Sequence, residues 1–318
     1  MFTAQGRSTR VILTAAAAAT AMLLSACGST SSDEATTGDE ASTDASYTVE
    51  HAMGETTIEG TPERIVVIDS PHLDALVALG ITPVGATESG AATGVPEYLA
   101  DELEGIETVG PTMEPDLEAI ASLNPDLIIG AQVRHEALYQ QLSAIAPTVF
   151  SVNSGTEWEE QARITAAAVG ETDEMEALLT GVEERAVQVG KNIGAEGQTA
   201  SMVRFRPDNF RLYGPDTFSG TILTQVGYDL GADRAWNEYS MLELSPENYT
   251  EIDGDVVFFT NPGGNPAATT MAAVTGLWGA QPGVEAGKVY EFEDETWMVG
   301  IGVVGANTIL DDLEKTLG

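Results

Sequence analysis

The sequence has one cysteine, three histidines and only 13 lysines plus arginines against 50 aspartates plus glutamates. A lone cysteine excludes an internal disulfide. The formal net charge of −37 argues against nucleic acid and anionic lipid as partners, since both demand a basic face. All three histidines, His51, His72 and His135, fall in the first half. A closed imidazole cage drawn from both halves is therefore ruled against, although His72 and His135, with Asp69 and Glu136 near them, keep a direct Mn, Zn or Fe site as an alternative. The chain also lacks a G-x-S-x-G elbow, an H-E-x-x-H pair and a Walker loop, which removes three usual signatures of catalysis. The apolar run 11–24 is too short for a membrane span of about 20 residues.

What is present begins with that run. Arg7 and Arg10 precede it, and Ser25, Ala26 and Cys27 follow its last residue, Leu24, the layout of an export signal. "LSAC" resembles the lipobox of bacterial lipoproteins, which implies acylation of Cys27; an inert buried thiol is the alternative for a lone cysteine. Residues 28–46 are small and acidic and bury nothing. The organisation expected is a lipoprotein signal peptide (1–26), an acidic disordered tether (27–46), an N-terminal lobe (47–155), a bridging helical segment (156–197) and a C-terminal lobe (198–318). Two acyl chains on Cys27 would hold the body on the outer face of a membrane.

The body repeats itself. "EAIASLNPDLII" (118–129) and "ENYTEIDGDVVF" (247–258) each read as a short helix turning into a buried strand. Strands are expected at 64–69, 83–86, 107–109, 126–130 and 148–151, then at 200–205, near 228–231, at 255–260 and at 288–292. Their alternation with helices predicts two Rossmann-like α/β lobes with parallel sheets. Between them, Met175, Leu178, Leu179, Val182, Ala186, Val189 and Ile193 recur at helical spacing. Thr172 offers an N-cap and Gly194 a stop. This is one long bridging helix of roughly 30 Å, a joint that restricts closure.

In order and spacing, "ERIVVIDSPHLDALVALGITPVGA", "EPDLEAIASLNPDLIIG", "LYGPDTFSGTILTQVGYDLG", "LSPENYTEIDGDVVFF" and "GKVYEFEDETWMVGIGVVGANTILDDL" resemble the ABC-importer substrate-binding proteins with a helical backbone, in the ferric-siderophore and cobalamin branch. The resemblance implies a monomeric protein with no resident cofactor that captures an iron chelate between its lobes and hands it to a membrane permease dimer. Haem or cobalamin is the alternative cargo.

Ligands of open parallel sheets lie beyond the C-terminal strand ends. Candidates there are His72, Arg134, Arg206 and Asn261. "VRFRPDNFRLYG" (203–214) packs Arg204, Arg206 and Arg211 among Phe205, Phe210 and Tyr213, and its second half, 209–214, is expected to return along the rim of the crevice. Planar guanidinium forks suit an anionic, oxygen-rich chelate, while pairing with surface acids is the ordinary alternative. Trp236, Tyr239 and Trp297 are candidate aromatic walls, or lobe-packing residues. The resemblance further implies that Glu118 and Glu247, one at an early turn of each repeat helix, dock onto permease arginines; otherwise they are solvated helix starts.

Overall fold

The computed structural model describes residues 46–88 and 94–318. The expected signal segment, Cys27 and all but the last residue of the tether lie outside them. A hairpin of β1 (Ser46–His51) and β2 (Gly54–Glu59) opens the described chain. The first lobe then builds on β3 (Ile65–Val67), β4 (Gly85–Glu88), β5 (Glu107–Pro111), β6 (Leu127–Ala131) and β7 (Thr148–Ser151). They form one parallel sheet in the order β5-β4-β3-β6-β7. Its central strands are apolar on both faces because both are covered: Ile65, Val67, Leu127 and Ile129 join one core, Val66, Ile68, Ile128 and Phe150 the other.

The second lobe holds β8 (Ala200–Phe205), β9 (Phe210–Tyr213), β10 (Met241–Leu244), β11 (Val256–Thr260) and β12 (Val289–Phe292), ordered β10-β9-β8-β11-β12. Here β8, β11 and β12 are parallel, but β9 runs antiparallel to both β8 and β10. Strand β10 was not among the expected strands, and two further details differ from the sequence expectation. Residues 210–213, expected to trace a rim, pair back on β8 as a hairpin with Phe205 opposite Phe210. The strand expected near 228–231 is a single bridge between Thr199 and Asp229. The reason for the first is the turn: Pro207 and Asp208 sit between the pair, and Arg206 N–H donates to Asn209 O at 2.9 Å.

The repeat has a physical basis. Asp126 accepts the backbone N–H groups of Glu63 and Arg64, each at 2.9 Å. Asp255 likewise takes Thr199 N–H at 3.1 Å and its hydroxyl at 3.0 Å. In each lobe the aspartate before a central strand ties down the chain entering its neighbour, through charge-assisted bonds.

Two helices, Trp158–Val169 and Thr172–Ile193, carry the chain between lobes. The longer one buries Met175, Leu179, Val182, Ala186 and Val189 along one stripe and ends at Gly194, whose φ is 68°. Thr172 is its first helical residue rather than its cap, and Glu171 holds the cap position. The stripe packs against helices Phe218–Val226 and Val303–Leu317. Gly190 is required there: a Cβ would stand 1.7 Å from the Val226 carbonyl oxygen. The C-terminal helix also reaches the first lobe. Asp74, buried in helix Ser70–Ala78, accepts the N–H groups of Val304 and Gly305, both at 2.9 Å, and the Tyr98 hydroxyl at 3.1 Å. A second tie joins Thr156 to Thr217 through an antiparallel bridge.

Candidate functional site

Three cavities adjoin, two of them between the lobes and the third lined by second-lobe residues alone. The first, about 210 Å³, is walled by Val133, Asn153, Tyr213, Phe218, Tyr239 and Met298, among others. The middle one, about 390 Å³, has Ser70, Glu88, Thr112 and Met113 on the N-terminal side and Arg204, Val299 and Ile301 opposite. The outer one, about 670 Å³, runs past Asn261, Glu293 and Lys315. Arg134, Met298 and Ile301 border both the first and the middle cavity, whereas Arg204 and Val299 border both the middle and the outer. They form one cleft at the C-terminal ends of the parallel strands, where the fold places ligands.

Arg134 follows β6 on a short helix, Gln132–His135. Its Nη1 donates to Asp69 Oδ1 at 2.6 Å, and Ser154 Oγ donates to the same oxygen at 3.0 Å. Asp69, directly after the first-lobe strand region, is 0 % exposed. Burial pushes its carboxyl up, against the pull of Arg134 and His135. Arg204, next to last in β8, grips Asp294 with two bonds, Nε to Oδ1 at 2.7 Å and Nη2 to Oδ2 at 2.5 Å. Thr260, opposite Arg204 on β11, adds a hydroxyl to Asp294 at 2.8 Å. The two arginines thus face one cavity from opposite lobes, each with a carboxylate already against it.

The other predicted residues scatter. Arg211, opposite Arg204 in the β8–β9 pair, is held by Glu243 of β10. Arg206 sits half-buried at the hairpin turn, its carbonyl accepting Thr270 N–H at 2.8 Å; it does not border the three cleft cavities. Tyr213 and the exposed Tyr239 border the first cavity. Trp297 also lines that cavity, although it is buried, stacked on Phe292 at 4.2 Å with its indole N–H on Asp312 at 2.9 Å. Trp236 stands away from the cleft, over Gly214, with its N–H on Gly231 O at 3.0 Å. Asn261 is buried and borders the outer cavity, its Oδ1 taking the Thr269 hydroxyl at 2.6 Å.

Both first-lobe histidines are committed to the interior. His72 is 0 % exposed, with Nδ1 2.7 Å from Thr165 Oγ1 and Nε2 3.1 Å from Ser151 Oγ. Burial lowers its pKa to about 3, so the ring is neutral. His135 donates Nε2–H to Thr112 O at 2.8 Å and accepts Ala131 N–H on Nδ1 at 3.3 Å. With both nitrogens used, neither ring presents a lone pair to the cleft. No cluster of three histidine, cysteine or carboxylate residues suited to a metal ion occurs among the described residues. Glu118 and Glu247 are exposed, the first in helix Leu117–Ser122 behind the Asp116 cap, the second in the 3-10 turn Pro246–Glu251. Sequence reasoning missed Asp294 as an arginine partner; in so acidic a chain the run "EFEDE" gives no local signal. Asp69 was noted only as a carboxylate near the histidines of the alternative metal site, not as an arginine partner.

Comparison with known proteins follows the same lines. Residues 65–296 match the family model described as "Periplasmic binding protein". The chain is 35% identical to the Bacillus subtilis "Probable siderophore-binding lipoprotein YfiY", over 92% of this chain and 93% of that one. It is 29% identical to the "Fe(3+)-citrate-binding protein YfmC" of the same organism, over 92% of each. The crystal structure of Staphylococcus aureus SirA complexed with staphyloferrin B superposes with a TM-score of 0.74 at 30% identity, covering 85% of this chain and 97% of SirA.

Proposed function

The chain belongs to the periplasmic binding protein family, a substrate-binding component of transport rather than an enzyme, and on that premise we propose that it captures a ferric siderophore in the interlobe cleft. The observation that carries the reading is the pair Arg134 and Arg204, one per lobe, bordering one cavity. Each retains guanidinium N–H groups beyond those spent on its aspartate, and planar donors of this kind recognise the anionic oxygens around chelated iron. Tyr213 and Tyr239 supply aromatic surface beside them. Relatives that bind ferric siderophores or ferric citrate support the same cargo class. Delivery would be to an ABC permease dimer through Glu118 and Glu247, with the body tethered outside the cytoplasm by lipid on Cys27.

Titrating intrinsic tryptophan fluorescence with ferric hydroxamate, catecholate and citrate complexes tests the cargo. The expected result is saturable one-to-one binding of at least one iron chelate, weakened about tenfold or more by Arg134→Ala. Silence toward every iron chelate, with tight binding of haem or cobalamin, overturns it.

A further inference from the structure

Three arginines within eight positions suggest, on sequence alone, a strongly anionic cargo. The folded cleft carries a different charge balance. Arg134 is matched by Asp69 and Arg204 by Asp294. Arg211, which would have added a third charge, is matched by Glu243. An arginine already held by a carboxylate presents donors and a local dipole to a ligand, but little net positive charge. Of the basic residues bordering the cleft, Lys315 alone remains, and it shares the outer cavity with Asp312, Glu291, Glu293 and Glu295. Glu88 borders the middle cavity.

We propose that Asp69 and Asp294 set the charge specificity of the cleft, so that it selects iron chelates of low net charge and disfavours highly anionic ones. The inference rests on the siderophore reading above and narrows it. Three hydroxamates around ferric iron cancel its three charges; three catecholates leave three negative charges over. The first complex offers acceptor oxygens to the guanidinium groups without importing uncompensated charge. The second must approach two half-neutralised arginines past a carboxylate rim, and it gives up hydration to do so. The first cavity points the same way. At about 210 Å³ it is larger than the roughly 150 Å³ cavity that accepts a benzene molecule. Its wall of Val133, Phe218, Met241, Met298 and Ile301 favours an alkyl or aryl arm, which a compact, heavily hydrated anion lacks.

Isothermal titration of the purified protein with ferric tris-hydroxamate, a singly negative ferric citrate–dihydroxamate, ferric tris-catecholate and ferric citrate decides it. The neutral and singly negative complexes should bind at least tenfold tighter than the tris-catecholate. Their Kd should change less than about threefold between about 50 and 500 mM salt. Asp294→Asn, or Asp69→Asn if the first variant does not fold, should shift the preference about tenfold toward the tris-catecholate. Tightest binding of the tris-catecholate, or a Kd that climbs tenfold with salt, overturns the charge assignment and leaves the siderophore reading standing. If no iron chelate binds, both fall.

Discussion

Arg204 and Arg211 face one another across β8 and β9, and each finds its acid at a distance in sequence: Asp294 past the end of β12 and Glu243 on β10. The cluster of like charge was legible because its members are neighbours in the chain. What neutralises it was not, because the partners come together only once the sheet has formed. Removing one member exposes the arrangement. Arg204→Ala leaves Asp294 only the Thr260 hydroxyl of its present partners, and about 2 kcal/mol of stability should be lost in urea unfolding. This is less than for a fully buried pair, since both side chains are partly exposed. The titrating groups act in opposite senses. His72, neutral in the fold with its pKa lowered to about 3, charges in the unfolded chain first, so its contribution is lost as pH falls from about 6.5. The loss runs at about 1.4 kcal/mol per unit until the folded ring also titrates. Asp74 is raised to about 6 by burial, despite the helix N-H groups it accepts. The folded protein therefore takes its proton first and gains stability from about pH 6 down to the ordinary carboxylate range. Thermal melts between about pH 7 and 4.5 should show His72→Gln removing acid lability and Asp74→Asn steepening it; identical profiles would contradict both assignments.

The linking helix was plain in the sequence because an apolar stripe at helical spacing has one economical placement, face down on a core. Its end at Gly194 was equally plain. The β8–β9 hairpin was missed although Pro207 and Asp208 marked its turn, since two arginines and an asparagine beside them suggested a rim rather than a strand pair. Strand β10 was missed for a related reason: "MLEL" is short and only half-buried, so neither a long apolar run nor a buried parallel pattern announces it. At this scale Gly190 is the sensitive point. The Val226 carbonyl occupies the space of any side chain there, so Gly190→Ala should force the linking helix away from helix Phe218–Val226. A loss of about 3 kcal/mol is expected in chemical denaturation, with helical content retained by circular dichroism.

Across the whole molecule, the two-lobed plan and the position of the cleft followed from strand and helix order, whereas only some of the residues lining it did. Of the predicted ligand residues, Arg134, Arg204, Tyr213, Tyr239, Trp297 and Asn261 border the cleft cavities, while Trp236 and His72 belong to local packing and Arg206 and Arg211 do not border them. Residues from both lobes and from the linking helices share one continuous core. A joint of that kind resists wide opening, so small-angle scattering should give nearly the same radius of gyration with and without a bound iron chelate; a clear contraction would show a hinge that the packing does not provide.

The cap that Asp74 places on the C-terminal helix spans 230 positions of chain. During synthesis, a nascent polypeptide reaching only the second lobe would hold that carboxylate without the amide groups that receive it, and the shared core would lack one wall. The tie between the first lobe and this helix therefore forms late. It waits for residues 304 and 305 to emerge, long after the rest of the first lobe has been made.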